Sequence, residues 1–334
     1  MARIGIVSNA NANRGRNNGF HAGLVQIAQN RPSVHHRITR SPEEVADAVC
    51  SFYQEGIEVL VSDGGDGGLS ELMTHEIRFV HAPHILRYSP FGQRLFVPLN
   101  TGTVNVFASH LGIDDPIAML AYLESASLDE LRANAQRFQT LEIAVEGEQP
   151  RYGFMFGNGI MHTAFTLYDE ALQKSRNAFW AVLRILGSLA SKRVRALYKP
   201  ITAALEIEGH IAHGKPSDYT TMLASTLDLT IPVPHLAIAP FRNANLGQFN
   251  FLTTRYHLGL WKLLGHAYRL VRGEKPEGKD FVNTFVPSVT IRASRSSLSY
   301  MLDGTNYTIS GSPYEKIKCT VSVGPYVSLV GVGR

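Results

Sequence analysis

Residues 57–73 read IEVLVSDGGDGGLSELM, and the fold turns on how that stretch is parsed. Ile57 to Val61 is apolar and β-rich, the pattern of a buried strand. Leu69 to Met73 favours a helix. Between them Gly64, Gly65, Gly67 and Gly68 surround one carboxylate, Asp66. A glycine-rich turn from strand to helix lets main-chain N–H groups approach a phosphate, and the helix dipole behind it favours negative charge. The spacing matches neither GxGxxG nor GxxxxGK[ST], which excludes the common dinucleotide-binding and P-loop patterns. The plainer alternative is a tight structural turn capped by Asp66.

Working outward, strand and helix patterns alternate over the first 110 residues. Residues 3–8 form an apolar strand, followed by a polar loop, Asn9 to Gly19, and a helix from about Phe20 to Gln29. His36 to Thr39 reads as a second strand. Ser41-Pro42-Glu43-Glu44 is a helix start, with Ser as N-cap and Pro in the first turn, and that helix stops near Gly56. Such alternation predicts a parallel sheet, whose ligands sit at the carboxyl ends of the strands. The loops Asn9–Gly19 and Asp63–Gly68 both leave those ends. A further loop, PLNTGTVNVFA over 98–108, offers Gly102, Thr103 and Asn105 in the same setting.

Beyond residue 140 the pattern changes to short alternating strands, among them Thr140–Val145, Leu205–Glu208, Ser288–Arg292 and Thr320–Val323, which predicts antiparallel pairing. Two helical stretches, about 175–198 and 258–272, interrupt them. The first carries Phe179, Leu183 and Leu186 at helical spacing with Arg176, Lys192, Arg193, Arg195 and Lys199 around them. It suits either an anionic membrane surface or the cover of a sheet. Asp303-Gly304, between two alternating segments, is a hairpin signal.

Bulk properties bound the function classes. At 334 residues the chain exceeds one ordinary core, so two domains are expected. A net charge of +4 suits phosphates or anionic lipid and is thin for nucleic acid. Two cysteines, Cys50 and Cys319, imply neither a disulfide framework nor a thiolate metal site and suit a reducing, cytoplasmic setting. Neither a leader peptide nor an apolar run long enough to span a bilayer is legible. Among 13 histidines there is no HExxH, and there is no GxSxG elbow.

Asn9 after the first strand, GGDG at 64–67 with Glu71 beyond it, GTVNVFA at 102–108 and Asp303-Gly304 together resemble the diacylglycerol kinase catalytic family, which includes bacterial soluble lipid kinases and sphingosine and ceramide kinases. The resemblance implies an α/β nucleotide-binding domain over 1–138 and a C-terminal antiparallel β-sandwich over 139–318. Residues 319–334 would form terminal strands returning to the first domain. It further implies an ATP- and Mg²⁺-dependent transfer of phosphate to a hydroxyl of a membrane lipid: diacylglycerol, a sphingoid base or ceramide. On that resemblance Asn9, Thr39, Gly64, Gly65, Asp66, Gly67, Glu71, Gly102, Thr103 and Asn105 line the nucleotide site. Asp66 reaches Mg²⁺ through water, and Asp303 is the base for the lipid hydroxyl. The protein would work peripherally at a membrane surface, and a homodimer is compatible with it.

The chain departs from the family at five places, the first being the loop after the first strand, where Asn9-Ala10-Asn11-Ala12-Asn13 keeps only the Asn of an Asn-Pro-x-Ser-Gly pattern. Gly68 replaces a threonine and Thr305 an acid. Gly157-Asn158-Gly159 runs on to Thr163 without a carboxylate, and Leu246-Gly247 lacks one too. Two alternatives therefore stand beside the lipid kinase. One is a kinase of a soluble hydroxyl compound such as a nicotinamide nucleotide, since NAD kinases share a GGDG loop. The other is a non-catalytic nucleotide or lipid sensor on the same scaffold.

Overall fold

The computed structural model describes residues 2–11, 18–81, 94–102, 105–159, 162, 200–207, 216–227, 231–233, 236–238, 247–255, 281–294, 297–311 and 316–332. The chain divides into two compact units, Met1–Phe138 with Tyr326–Arg334, and Gln139–Pro325.

The first unit opens with β1 (Ile4–Asn9), α1 (Asn18–Asn30), β2 (Val34–Thr39), α2 (Pro42–Gln54), β3 (Val59–Asp63), α3 (Gly65–Val80) and β4 (Leu95–Pro98). Three short helices follow: α4 (Val106–His110), α5 (Pro116–Ser125) and α6 (Leu128–Ala133). The strands lie in the order β2-β1-β3-β4 and every pair is parallel. Parallel neighbours need a crossover, and α1, α2 and α3 supply one each. The β1 and β3 strands are buried along nearly their whole length, which is why they read as apolar runs.

Local signals set most of the helix ends. Ser41 caps α2 by accepting the Glu44 amide at 3.3 Å, Pro42 occupies the first turn, and Gly56 follows the end with φ +70°. The α1 helix extends one or two residues past each expected end. One boundary differs in a way that matters. Gly65 to Gly68, expected as loop, form the first turn of α3, with Gly64 at the cap position. Glycine is a poor helix former by itself, so this turn owes its shape to the contacts described below.

The second unit is antiparallel. It contains β5 (Ala135–Val145, entering from the first unit), β6 (Arg151–Gly153), β7 (Met155–Gly159), β8 (Ile201–Ile207) and β9 (Ser217–Ser225). Next come β10 (Ile231–Val233), β11 (Leu236–Ile238), β12 (Phe249–Arg255), β13 (Phe281–Val286) and β14 (Ser288–Ala293). The last are β15 (Ser297–Leu302), β16 (Thr305–Ser310) and β17 (Ile317–Val330). The order β16-β15-β7-β9-β8-β14-β17 forms the main run, β12 joins β9 to β13, and among the described residues β10 pairs with β11 alone. Phe156, Met222, Phe251, Tyr300 and Leu302 sit in one buried apolar cluster. The last strand runs out of the second unit, and its end pairs in parallel with β4 through Ser328↔Leu95 and Leu329↔Phe96.

The helical stretches expected at 175–198 and 258–272 lie outside the described residues, as does the basic surface proposed for the first. Among the described residues no helix is long and apolar enough to cross a membrane.

Candidate functional site

The carboxyl ends of β1, β3 and β4 carry the residues singled out in the sequence, and main-chain packing brings three segments together there. Asn9 ends β1 and accepts the Asn11 amide at 2.9 Å, closing a tight turn. A Cβ built on Gly64 would lie 3.1 Å from the Asn9 Cβ, so the loop after β1 rests on the glycine turn. Gly65 has φ +71°, and a Cβ on Gly102 would come within 2.5 Å of the Gly65 Cα. Only glycine permits backbones this close.

Side chains then lock the glycine turn to the loop after β4. Gly102 donates its amide to Asn105 Oδ1 at 2.7 Å, and Asn105 Nδ2 donates to the Gly102 carbonyl at 2.8 Å. Asp66 accepts the amides of Val106 at 2.9 Å and Phe107 at 3.1 Å, one on each oxygen. Those are first-turn donors of α4, so Asp66 serves as a cap supplied from another helix. The carboxylate is buried and turned to α4, where it accepts these two amides. The glycines, expected to clear room for phosphates, are needed first to let two loops touch.

A phosphate-sized anion is nonetheless suited to the same junction. Ser41, Asp115 and Ser127 each cap their helices, whereas α3 begins at Gly64 with no side-chain cap. A helix N-terminus without a side-chain acceptor offers its first-turn amides and dipole to an anion. Gly64, Gly65, Asp66 and Gly67 supply that turn. Among the described residues no group of three or more His, Cys, Asp or Glu is placed to hold a metal ion.

The remaining expected residues are distributed differently. Thr39, at the end of β2, is buried and donates its hydroxyl to the Ser8 carbonyl at 3.3 Å, while its own carbonyl accepts the Ala10 amide. It braces β1. Glu71 stands on α3 with a carboxylate oxygen 2.9 Å from His75 Nε2. Thr103 lies outside the described residues. Asp303 belongs to the second unit, in the two-residue turn joining β15 to β16, with φ 47° followed by Gly304 at 85°. That turn was legible as Asp-Gly. Its carboxylate, expected to face a lipid hydroxyl, accepts the amides of Phe154 at 2.9 Å and Met155 at 2.8 Å. It is only 4% exposed, and a Cβ on Gly153 would lie 2.4 Å from its Oδ2. This geometry is a turn anchored to the β6–β7 junction.

Sequence reasoning missed a buried polar cluster directly behind the loops. Ser8 Oγ donates to Asp63 Oδ2 at 2.6 Å and lies 2.8 Å from His36 Nε2, while His21 Nε2 stands 3.1 Å from the same Asp63 oxygen. Ser8 and Asp63 are fully buried. Burial lowers His36 to a pKa of about 4; Asp63 opposes that shift, and His21 and Arg37 reinforce it. The available signal was a polar residue near the end of each of two otherwise apolar strands.

No protein-family model matches the chain, and no curated protein sequence matches it. Solved structures do. Three from Bacillus anthracis strain Sterne, assigned as a diacylglycerol kinase, superpose with TM-scores of 0.62, 0.57 and 0.61. Each match covers 99% of this chain and 97% of the other, at 12%, 11% and 12% identity respectively. The chain has the diacylglycerol kinase fold. At such identity it is the fold that is shared, while most side chains differ. The Gly64–Gly67 turn, Gly102 and Asn105 are neighbouring parts of the first unit.

Proposed function

We propose that the chain is a kinase that transfers phosphate from ATP, with Mg²⁺, to a hydroxyl group of a membrane lipid. The observation that carries the reading is the uncapped start of α3, set where the glycine loops meet, on a fold shared with proteins assigned as diacylglycerol kinases. In this reading the amides of Gly64, Gly65 and Gly67 hold phosphate oxygens, and Gly102 and Asn105 shape the wall beside them. Mg²⁺ brought with ATP would supply the neutralisation of phosphate charge, and Asp66, which holds the wall in place, would act on the ion through water. Phosphoryl transfer depends chiefly on positioning and charge neutralisation, so a rigid amide cradle supplies much of what it needs. The lipid acceptor implies peripheral work at a membrane surface.

A second reading is favoured by one specific observation: Asp66 and Asp303 both spend their carboxylate oxygens on main-chain amides. A scaffold with its acids so employed suits a nucleotide or lipid sensor. The two readings part in one experiment. Purified protein is incubated with γ-labelled ATP, Mg²⁺ and mixed micelles of extracted lipid, and the lipids are separated. A labelled lipid supports the kinase and gives its acceptor class. ATP bound without any label transferred supports the sensor.

A further inference from the structure

The cluster behind the loops joins four elements: Ser8 from β1, His36 from β2, Asp63 from β3 and His21 from α1. Its hydrogens can be placed by elimination. Ser8 has one hydroxyl proton, and it goes to Asp63 at 2.6 Å. The 2.8 Å contact with His36 Nε2 then requires that nitrogen to be the donor. His36 is thereby fixed as the neutral ring carrying hydrogen on Nε2. Its Nδ1 is buried and meets no partner among the described residues, so a second ring proton would have nowhere to go. The relay runs from His36 through Ser8 to Asp63, and His21 Nε2 on α1 lies 3.1 Å from the same carboxylate, close to it but not aligned for a hydrogen bond.

Such a buried carboxylate is costly to desolvate and adds nothing that an apolar residue would not supply to the core of a parallel sheet. It does fix geometry. Ser8 directly precedes Asn9, and Asp63 directly precedes Gly64, the two residues through which the loops touch. We propose that Asp63, bridged by Ser8 to a neutral His36 and met by His21, is a positioning residue that sets the loops after β1 and β3 against each other. The role as a phosphate-site scaffold rests on the nucleotide reading above; the network itself does not.

The test uses the full chain and three readouts. Ring ¹⁵N and ¹³C shifts of His36 should report a single Nε2–H tautomer, unprotonated from pH 8 down to 5.5, although Asp63, His21 and Arg37 all face it. An Nδ1–H ring, or titration near 6.5, overturns the network. In Ser8→Ala, amide exchange at residues 9–11 and 64–67 should accelerate at least tenfold, with α2 unaffected, and the His36 tautomer should become mixed. Unchanged exchange at both loops overturns the proposal. The Kd for AMP-PNP with Mg²⁺ should rise about tenfold in the same variant, the loss of about one hydrogen bond. If wild-type protein binds no AMP-PNP while the exchange result holds, the nucleotide reading fails and the positioning network stands. If Ser8→Ala does not fold, the wild-type ring shifts still decide the matter.

Discussion

Asp303 occupies a left-handed backbone conformation that Asn, Asp and Gly tolerate and most residues do not, and both of its carboxylate oxygens are filled by main-chain donors. Asp303→Asn keeps the turn but presents an NH₂ group to one amide donor. We expect a loss of about 1–3 kcal/mol in urea unfolding, with the hairpin retained. If folded Asp303→Asn still labels lipid at the wild-type rate, proton acceptance by Asp303 is ruled out. His36 makes a prediction with a definite sign. Its folded pKa of about 4 lies below the ordinary 6.5, so the unfolded chain binds the proton more readily. Stability is full above pH 6.5, falls as pH drops from 6.5 toward 4, and levels off below. The full shift corresponds to about 3 kcal/mol, and about 1–2 remains once screening of the partly exposed ring is allowed for. His36→Gln should flatten that part of the stability profile, as read from denaturant midpoints between pH 7 and 4.5.

At the scale of elements, α3 is held from both ends. Its start depends on Gly102 packing against Gly65, and Gly102→Ala should cost about 1–3 kcal/mol because the intruding atom meets backbone rather than a side chain that can move. The same variant should weaken AMP-PNP binding, measured by calorimetry; unaltered affinity would separate this junction from nucleotide binding. Toward its other end, Glu76 is paired with Arg94, whose Nε donates at 2.8 Å. Arg94 also reaches the Val49 carbonyl and lies over the Tyr53 ring, tying α2, α3 and the start of β4 together. Both side chains are about 3% exposed. Removing one member leaves an uncompensated buried charge, so Arg94→Met should lose about 3–5 kcal/mol in chemical denaturation, while the double variant with Glu76→Leu should recover much of it. Without that recovery the pair is not what holds these elements.

For the whole molecule, the chain's last segment matters more than its length suggests. Val327, Leu329 and Val330 are fully buried, and the end of β17 pairs with β4 in the first unit. Truncation after Pro325 should abolish cooperative unfolding of the first unit, seen as loss of exchange protection in β1, β3 and β4. Protection that survives the truncation would show the parallel strands to be self-sufficient.

Local chemistry made several features legible from sequence: the parallel alternation, because buried parallel strands are continuously apolar; the α2 start, because Ser-Pro-Glu-Glu satisfies a helix end by itself; and the Asp303-Gly304 hairpin, because only a few residues accept that turn. The meeting of the glycine segments was expected from their shared place at the strand ends. What each residue does there was decided by tertiary structure alone. Asp66 and Asp303 read in one dimension as turn residues or working acids, yet amides distant in sequence claim them, and no local pattern encodes which distant donor will arrive. The Ser8–Asp63–His36 network has the same origin: its members come from three separate strands, and only the sheet brings them within hydrogen-bonding distance.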